Sequence, residues 1–251
     1  MLFNSLAFAV FFPLVALVYF VTPHRFRWLF LLLASYYFYM NWKPIYALLL
    51  FSTTLVTWLC GLLLQATENI RTKKIYLAIS LLINFSTLFI YKYFNFINSI
   101  IYEGLHYLGI RWEVPNLDLL LPVGISFFTF QAVGYTIDVY NGNIKAERHF
   151  GIYALFISFF PQLAAGPIAR AANLIPQFHE IKRFTTDNFS SGFKMMLWGF
   201  FLKLVVADRL GGYVDAVFNN VDHHNGSSVL LASVFLHSKS MGILQDIPLL
   251  R

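Results

Sequence analysis

The run Ile45-Tyr46-Ala47-Leu48-Leu49-Leu50-Phe51-Ser52-Thr53-Thr54-Leu55-Val56-Thr57-Trp58-Leu59-Cys60-Gly61-Leu62-Leu63-Leu64 carries no charge over its whole length. Coiled as a helix, it would be about 30 Å long, the thickness of a bilayer's hydrocarbon core. Leu2–Val21 is a second run of the same kind. Composition agrees, with 58% of residues hydrophobic and 12% charged. An ordinary soluble domain has about 25% charged residues. There are too few polar side chains to cover a water-facing surface, whereas lipid needs none and only requires that backbone groups be satisfied internally. The expected fold class is all-α, a polytopic bundle of transmembrane helices.

Further apolar stretches lie at Phe26–Tyr39, Ile75–Tyr91, Leu119–Val139, Phe150–Ile168, Gly192–Val206 and Ser228–Leu236. Phe26–Tyr39 is short for a span and suits a tilted, interfacial or buried helix. Lys and Arg concentrate after the first segment (Arg25, Arg27) and after the third (Arg71, Lys73, Lys74), while the turn between holds Lys43 alone. The positive-inside rule then puts the two richer loops in the cytoplasm and the N-terminus outside. The connection from Lys92 to Asp118 becomes extracytoplasmic, with Tyr102, Tyr107 and Trp112 suited to its interface. Met1–Phe20 has no basic leading region and no small-residue cleavage site, so it reads as a retained first helix.

The formal charge is +6, from 18 Lys plus Arg against 12 Asp plus Glu. Because the cations are scattered between apolar runs, they read as topology signals facing an anionic membrane surface, not as a nucleic-acid footprint. The lone Cys60 lies inside an apolar run and supports neither a disulfide framework nor a metal cluster.

Two segments carry helix breakers: Leu121-Pro122-Val123-Gly124, and Pro161 with Gly166-Pro167. A break at membrane depth frees backbone groups that lipid cannot satisfy, so such breaks are buried in protein or line a cavity. The second break lies in Phe159-Phe160-Pro161-Gln162-Leu163-Ala164-Ala165-Gly166-Pro167-Ile168-Ala169-Arg170. Upstream stand Ile125-Ser126-Phe127-Phe128-Thr129-Phe130-Gln131 and Tyr135-Thr136-Ile137-Asp138-Val139-Tyr140. Downstream stand Gly199-Phe200-Phe201-Leu202-Lys203 and Ala207-Asp208-Arg209-Leu210. Together, in this order, they resemble the membrane-bound O-acyltransferase family, and within it the membrane subunit of bacterial alginate O-acetylation. The likeness runs from the N-terminus to about Leu236.

That resemblance implies a multi-pass protein of the bacterial cytoplasmic membrane, with helices around a funnel or tunnel. It implies no bound cofactor. The acyl group, acetyl by this likeness, would come from a cytoplasmic donor such as acetyl-CoA or another acyl thioester. Its destination would be an extracytoplasmic polysaccharide such as alginate, reached through partner acyltransferase proteins. Pro161, Gln162, Gly166, Pro167 and Arg170 would line the substrate tunnel. Gln162 would supply hydrogen bonds, the small residues would admit the acyl chain, and Arg170 would attract an anionic donor. Without the family, the same residues would read as a packed helix break with Arg170 at an interface.

The family's catalytic histidine, whose imidazole can accept a proton or act as nucleophile near neutral pH, is expected beyond Arg251. The catalytic set within this chain is therefore empty. His24 and His106 fall in connections, His179 follows the Gly-Pro motif, and His223-His224 lie in a polar loop, all suited to solvated or interfacial positions.

After Leu236 the family pattern stops. Read one base out of frame, His237 to Pro248 can encode Phe-Gln-Ile-Tyr-Gly-Asp-Phe-Ala-Gly-Tyr-Ser, the family's continuation; Met241 followed by glycine forces the central glycine. The expectation is residues 1–236 as the N-terminal part of the membrane domain and 237–251 as a tail out of frame, in a truncated chain without acyl transfer of its own. The alternative function class is a non-catalytic transporter or channel-like protein whose broken helices bind substrate at mid-depth. A transporter should show the broken pair repeated in two halves, and no such repeat is visible.

Overall fold

The computed structural model describes residues 5–107, 114–115, 122–163, 168–221 and 225–245, with side chains described as far as Leu236. No strand occurs among these residues, and the chain is an all-α membrane helix bundle. It divides into two compact units, Met1–Ile181 and Lys182–Arg251.

In the first unit, α1 (Leu6–Val21), α2 (His24–Met40), α3 (Ile45–Ala66) and α4 (Ile70–Leu88) follow the apolar runs. Ser5 caps α1 through the amide of Phe8, and Asn69 caps α4 through that of Arg71. Pro23 and Pro44, lacking an N–H, stand directly before α2 and α3. α2 is short, and Ala34, Ser35, Phe38 and Tyr39 on it are buried among its neighbours. Phe8, Val15, Ala34, Phe38 and Phe160 form one apolar cluster between α1, α2 and the broken segment described below. The outward faces of α1 and α4 stay apolar and uncovered, as at Leu14, Leu17, Leu82 and Phe85, which is what a lipid-facing surface requires.

Two expectations are corrected here. The stretch from Lys92 to Asp118 is not a plain connection. A π-helical stretch Phe89–Tyr93 carries α4 into α5 (Phe94–Tyr107), because no proline interrupts residues 89–107. And within the run Leu119–Val139, Pro122, Val123 and Gly124 stand outside the helix, which begins at α6 (Ile125–Tyr140); Gly124 before it has φ +76°. That left-handed backbone favours glycine, and a Cβ there would run into the carbonyl oxygen of Leu163.

α6 packs against α3 and against α4, running antiparallel to α4. Ser80 and Thr136 share a hydrogen bond of 3.0 Å between α4 and α6. The buried hydroxyls of Thr53, Thr54 and Thr57 donate to carbonyls one turn back on α3, so apolar surroundings leave none of them unsatisfied.

In the second unit, α10 (Thr186–Phe201) runs through a π-helical stretch Leu202–Ala207 into α11 (Asp208–Phe218). α12 (Gly226–Gln245) packs on α11 and on the π-helical stretch, with Tyr213 edge-on to Phe235 at 5.7 Å. Helical backbone therefore passes through position 236 without a break; the side chains of the 237–251 tail, His237 included, lie outside those described. Among the described residues, Ile45–Ala66, Ile70–Tyr107 and Thr186–Phe218 are long and apolar enough to cross a bilayer.

Candidate functional site

The segment after α6 does not form one span. α7 (Phe150–Ser158) has eight of its nine residues buried, which places it inside the first unit. At Phe159 the backbone turns out of the helix (φ −55°, ψ 109°), and α8 (Phe160–Leu163) restarts. This break removes the bond in which the Phe160 N–H would have met the Phe156 carbonyl. Both orphaned groups find a side chain. Ser35 Oγ on α2 accepts from Phe160 N at 3.3 Å, and Gln131 Nε2 on α6 donates to Phe156 O at 2.9 Å. Ser35 in turn donates to Leu31 O at 2.8 Å. A buried backbone group left alone would cost about 1–3 kcal/mol, so these two residues are what makes the break tolerable at this depth.

Pro161 sits in the first turn of α8, where a missing N–H costs nothing. Gln162 follows, 4% exposed. Its main-chain N–H bonds Phe159 O at 3.0 Å, yet neither Nε2 nor Oε1 of its side chain has a partner. Thr129 Oγ1 on α6 is likewise buried without one.

The chain then returns. α9 (Ala171–His179) packs on α7 and α6, with the Phe178 ring 5.4 Å from that of Phe159. At its end His179 Nε2 lies 2.9 Å from Glu147 Oε2, just before α7 begins. The segment from Phe150 to His179 therefore starts and finishes at the same end of the unit.

Glu147 is where that end is tied together. Its Oε1 accepts from His149 N at 2.8 Å, its N–H donates to Tyr135 Oη at 3.0 Å, and its carbonyl accepts from Trp58 Nε1 at 2.8 Å. The neighbouring Ala146 N–H donates to Gln65 Oε1, and the Trp28 ring meets that of His149 at 4.6 Å. The start of α2 and the ends of α3, α6 and α9 thus gather around one loop. Arg25 and Arg27 on α2 and Lys145 and Arg148 in the loop belong to the segments that meet here, and Arg71, Lys73 and Lys74 open α4 just after α3 ends, against Lys43 and Lys92 toward the other end.

Of the residues singled out from the sequence, Pro161 and Gln162 come together in α8 at the buried centre. Arg170 is exposed at the start of α9, without a side-chain capping bond. Gly166 and Pro167 lie outside the described residues, as do His223 and His224. His24 opens α2 and His106 lies in α5 against Tyr102, so both are at helix ends and not in connections. Asp138 accepts from Asn143 Nδ2 at 3.1 Å beside the turn that ends α6. Chemically, the centre can bind and orient. Gln162 is a neutral amide and moves no protons.

No family model matches the chain. It is 34% identical over 242 residues to "Probable alginate O-acetylase AlgI" of Azotobacter vinelandii, covering 94% of this chain and 47% of that one. The protein of the same name from Pseudomonas aeruginosa is 34% identical over 221 residues, covering 87% and 42%. The peptidoglycan O-acetyltransferase of Helicobacter pylori is 31% identical over 253 residues, covering 87% and 47%. The chain belongs to the membrane-bound O-acyltransferase family. It spans a little under half the length of these curated relatives.

Within this family member, sequence reading found the motif around Gln162 but missed Ser35, Gln131, Glu147 and His149. Gln131 carried a usable signal, a polar amide inside the apolar run Leu119–Val139. Glu147, between Lys145 and Arg148, looked like any solvated turn.

Proposed function

We propose that this sequence is part of an O-acyltransferase of the bacterial cytoplasmic membrane, crossing it several times. It moves an acyl group, acetyl by likeness to its relatives, from a thioester donor such as acetyl-CoA to hydroxyls of an extracytoplasmic polysaccharide such as alginate. The donor enters at the cation-rich end, which is the cytoplasmic one by the positive-inside rule. It passes along a path lined by Pro161, Gln162, Gly166, Pro167 and Arg170, and partner acyltransferase proteins complete delivery outside. The observation that carries this reading is the broken segment itself. A family motif with a buried, unpartnered amide at its innermost turn fits a path for a polar-armed donor better than a packing element. A non-catalytic transporter lacks support, since no second broken segment repeats it in the sequence.

By the family likeness the catalytic histidine is not among these 251 residues, and acyl transfer by this chain on its own is not expected. Expressed in a bacterium lacking its own alginate acetylase, it should leave the polymer unacetylated. The gene extended through the shifted frame after Leu236 should restore acetylation. Acetylation by the short chain alone would place the proton-accepting group within it. Failure of the extended gene to acylate any polymer would overturn the acyltransferase reading.

A further inference from the structure

Resting on that reading, we propose that Gln162 recognises a secondary amide on the arm that carries the donor's thioester. Two glutamines lie buried at the break, Gln131 at 5% exposure and Gln162 at 4%. The first has a structural duty, since its Nε2 holds the Phe156 carbonyl at 2.9 Å. The second holds nothing, because both its Nε2 and its Oε1 lack partners while its main-chain N–H is bonded to Phe159 O.

A primary amide offers a donor and an acceptor side by side in one plane. A trans secondary amide points its C=O and N–H to opposite sides, so one amide satisfies one of the two atoms, and an arm with two successive secondary amides satisfies both by offering the N–H of one and the C=O of the other. Burying such a side chain without a partner is unfavourable, so the position is accounted for by a ligand that supplies one. Depth points to the donor as that ligand. Gln162 lies twelve residues past Phe150, at most about 18 Å inward from the cation-rich end at helical rise. Arms that carry acyl thioesters in cells contain amide bonds a few atoms from the sulfur. An amide held at Gln162 would fix how far the thioester reaches beyond it.

The test uses the chain in lipid nanodiscs and two synthetic probes, binding being measured by calorimetry. One probe is an acetylated pantetheine arm whose thioester sulfur is replaced by CH2. The other is the same arm with ester oxygens in place of its amide N–H groups. Wild type should bind the amide arm about tenfold tighter, because the ester leaves Gln162 Oε1 unpaired. Gln162→Met should bind both arms alike, at the weaker affinity, and Gln131→Met should keep the tenfold preference. The wild-type comparison needs no substitution, so a variant that folds poorly does not decide the matter. Equal binding of both arms by wild type, or a preference that survives Gln162→Met, would overturn the assignment to Gln162 while leaving the donor reading intact. Binding of neither arm would overturn the donor reading and this inference with it.

Discussion

Ser35 and Gln131 take over the two halves of one missing helical bond, and that makes a quantitative prediction. Ser35→Ala removes the acceptor from Phe160 N–H, and Gln131→Met removes the donor to Phe156 O without changing volume much. Each leaves one main-chain group unsatisfied in a buried place, at a cost of about 1–3 kcal/mol. For a chain of this size that is roughly 3–10 °C in melting temperature. The double variant should lose less than the sum, by about 1 kcal/mol or more, because residues in one network couple. Cys60, buried on α3, supplies the assay, since a thiol-reactive fluorophore labels it only as the bundle opens. Single variants that melt with the wild type, or a double variant whose loss equals the sum, would refute the bond-exchange account of the break.

Gly61 on α3 faces Tyr135, and a Cβ there would stand 2.9 Å from both Cε1 and Oη of that ring. The ring is held by Tyr153 at 4.5 Å and by the Glu147 N–H, so Gly61→Ala should cost about 1–3 kcal/mol by overpacking, while Gly134→Ala, which meets open space, should not lower the melting temperature. With Cys60 replaced by serine, cysteines introduced near Arg25 and near Lys73 should resist a membrane-impermeant thiol reagent in intact cells, and one near Asn41 should react. The reverse labelling pattern would invert the assigned orientation.

Most helices could be read from the sequence because each is a long apolar run bounded by Pro, Asn or Ser, and lipid-facing helices depend on their own composition. Ile45–Leu64 differs from α3 only by two residues at its end. What could not be read depended on partners far along the chain. The break at Phe159 was signalled by Pro161, yet its neighbours Ser35 and Gln131 are 125 and 25 residues from the groups they bond. Nothing local marks a serine as an acceptor for so distant an amide. The same holds for Glu147, whose anchoring role comes from Trp58, Gln65 and His179 converging on a loop that reads as merely charged. Pro122 and Gly124 marked a break near the start of α6, yet the close approach of the Leu163 carbonyl, which excludes a Cβ at Gly124, comes from far along the chain.

The return of α9 to Glu147 changes how crossings are counted. A hydropathy count scores Phe150–Ile168 as one traverse, and every traverse inverts the side assigned to all that follows. A segment that leaves by the end it entered contributes two half-passages and no inversion. Glu180 and Ile181, which close the first unit, then follow His179 at the end occupied by Glu147. An enzymatic reporter fused there should contradict a map built from apolar runs alone. The error would be one of parity: a single miscounted hairpin exchanges inside for outside along the rest of the polypeptide.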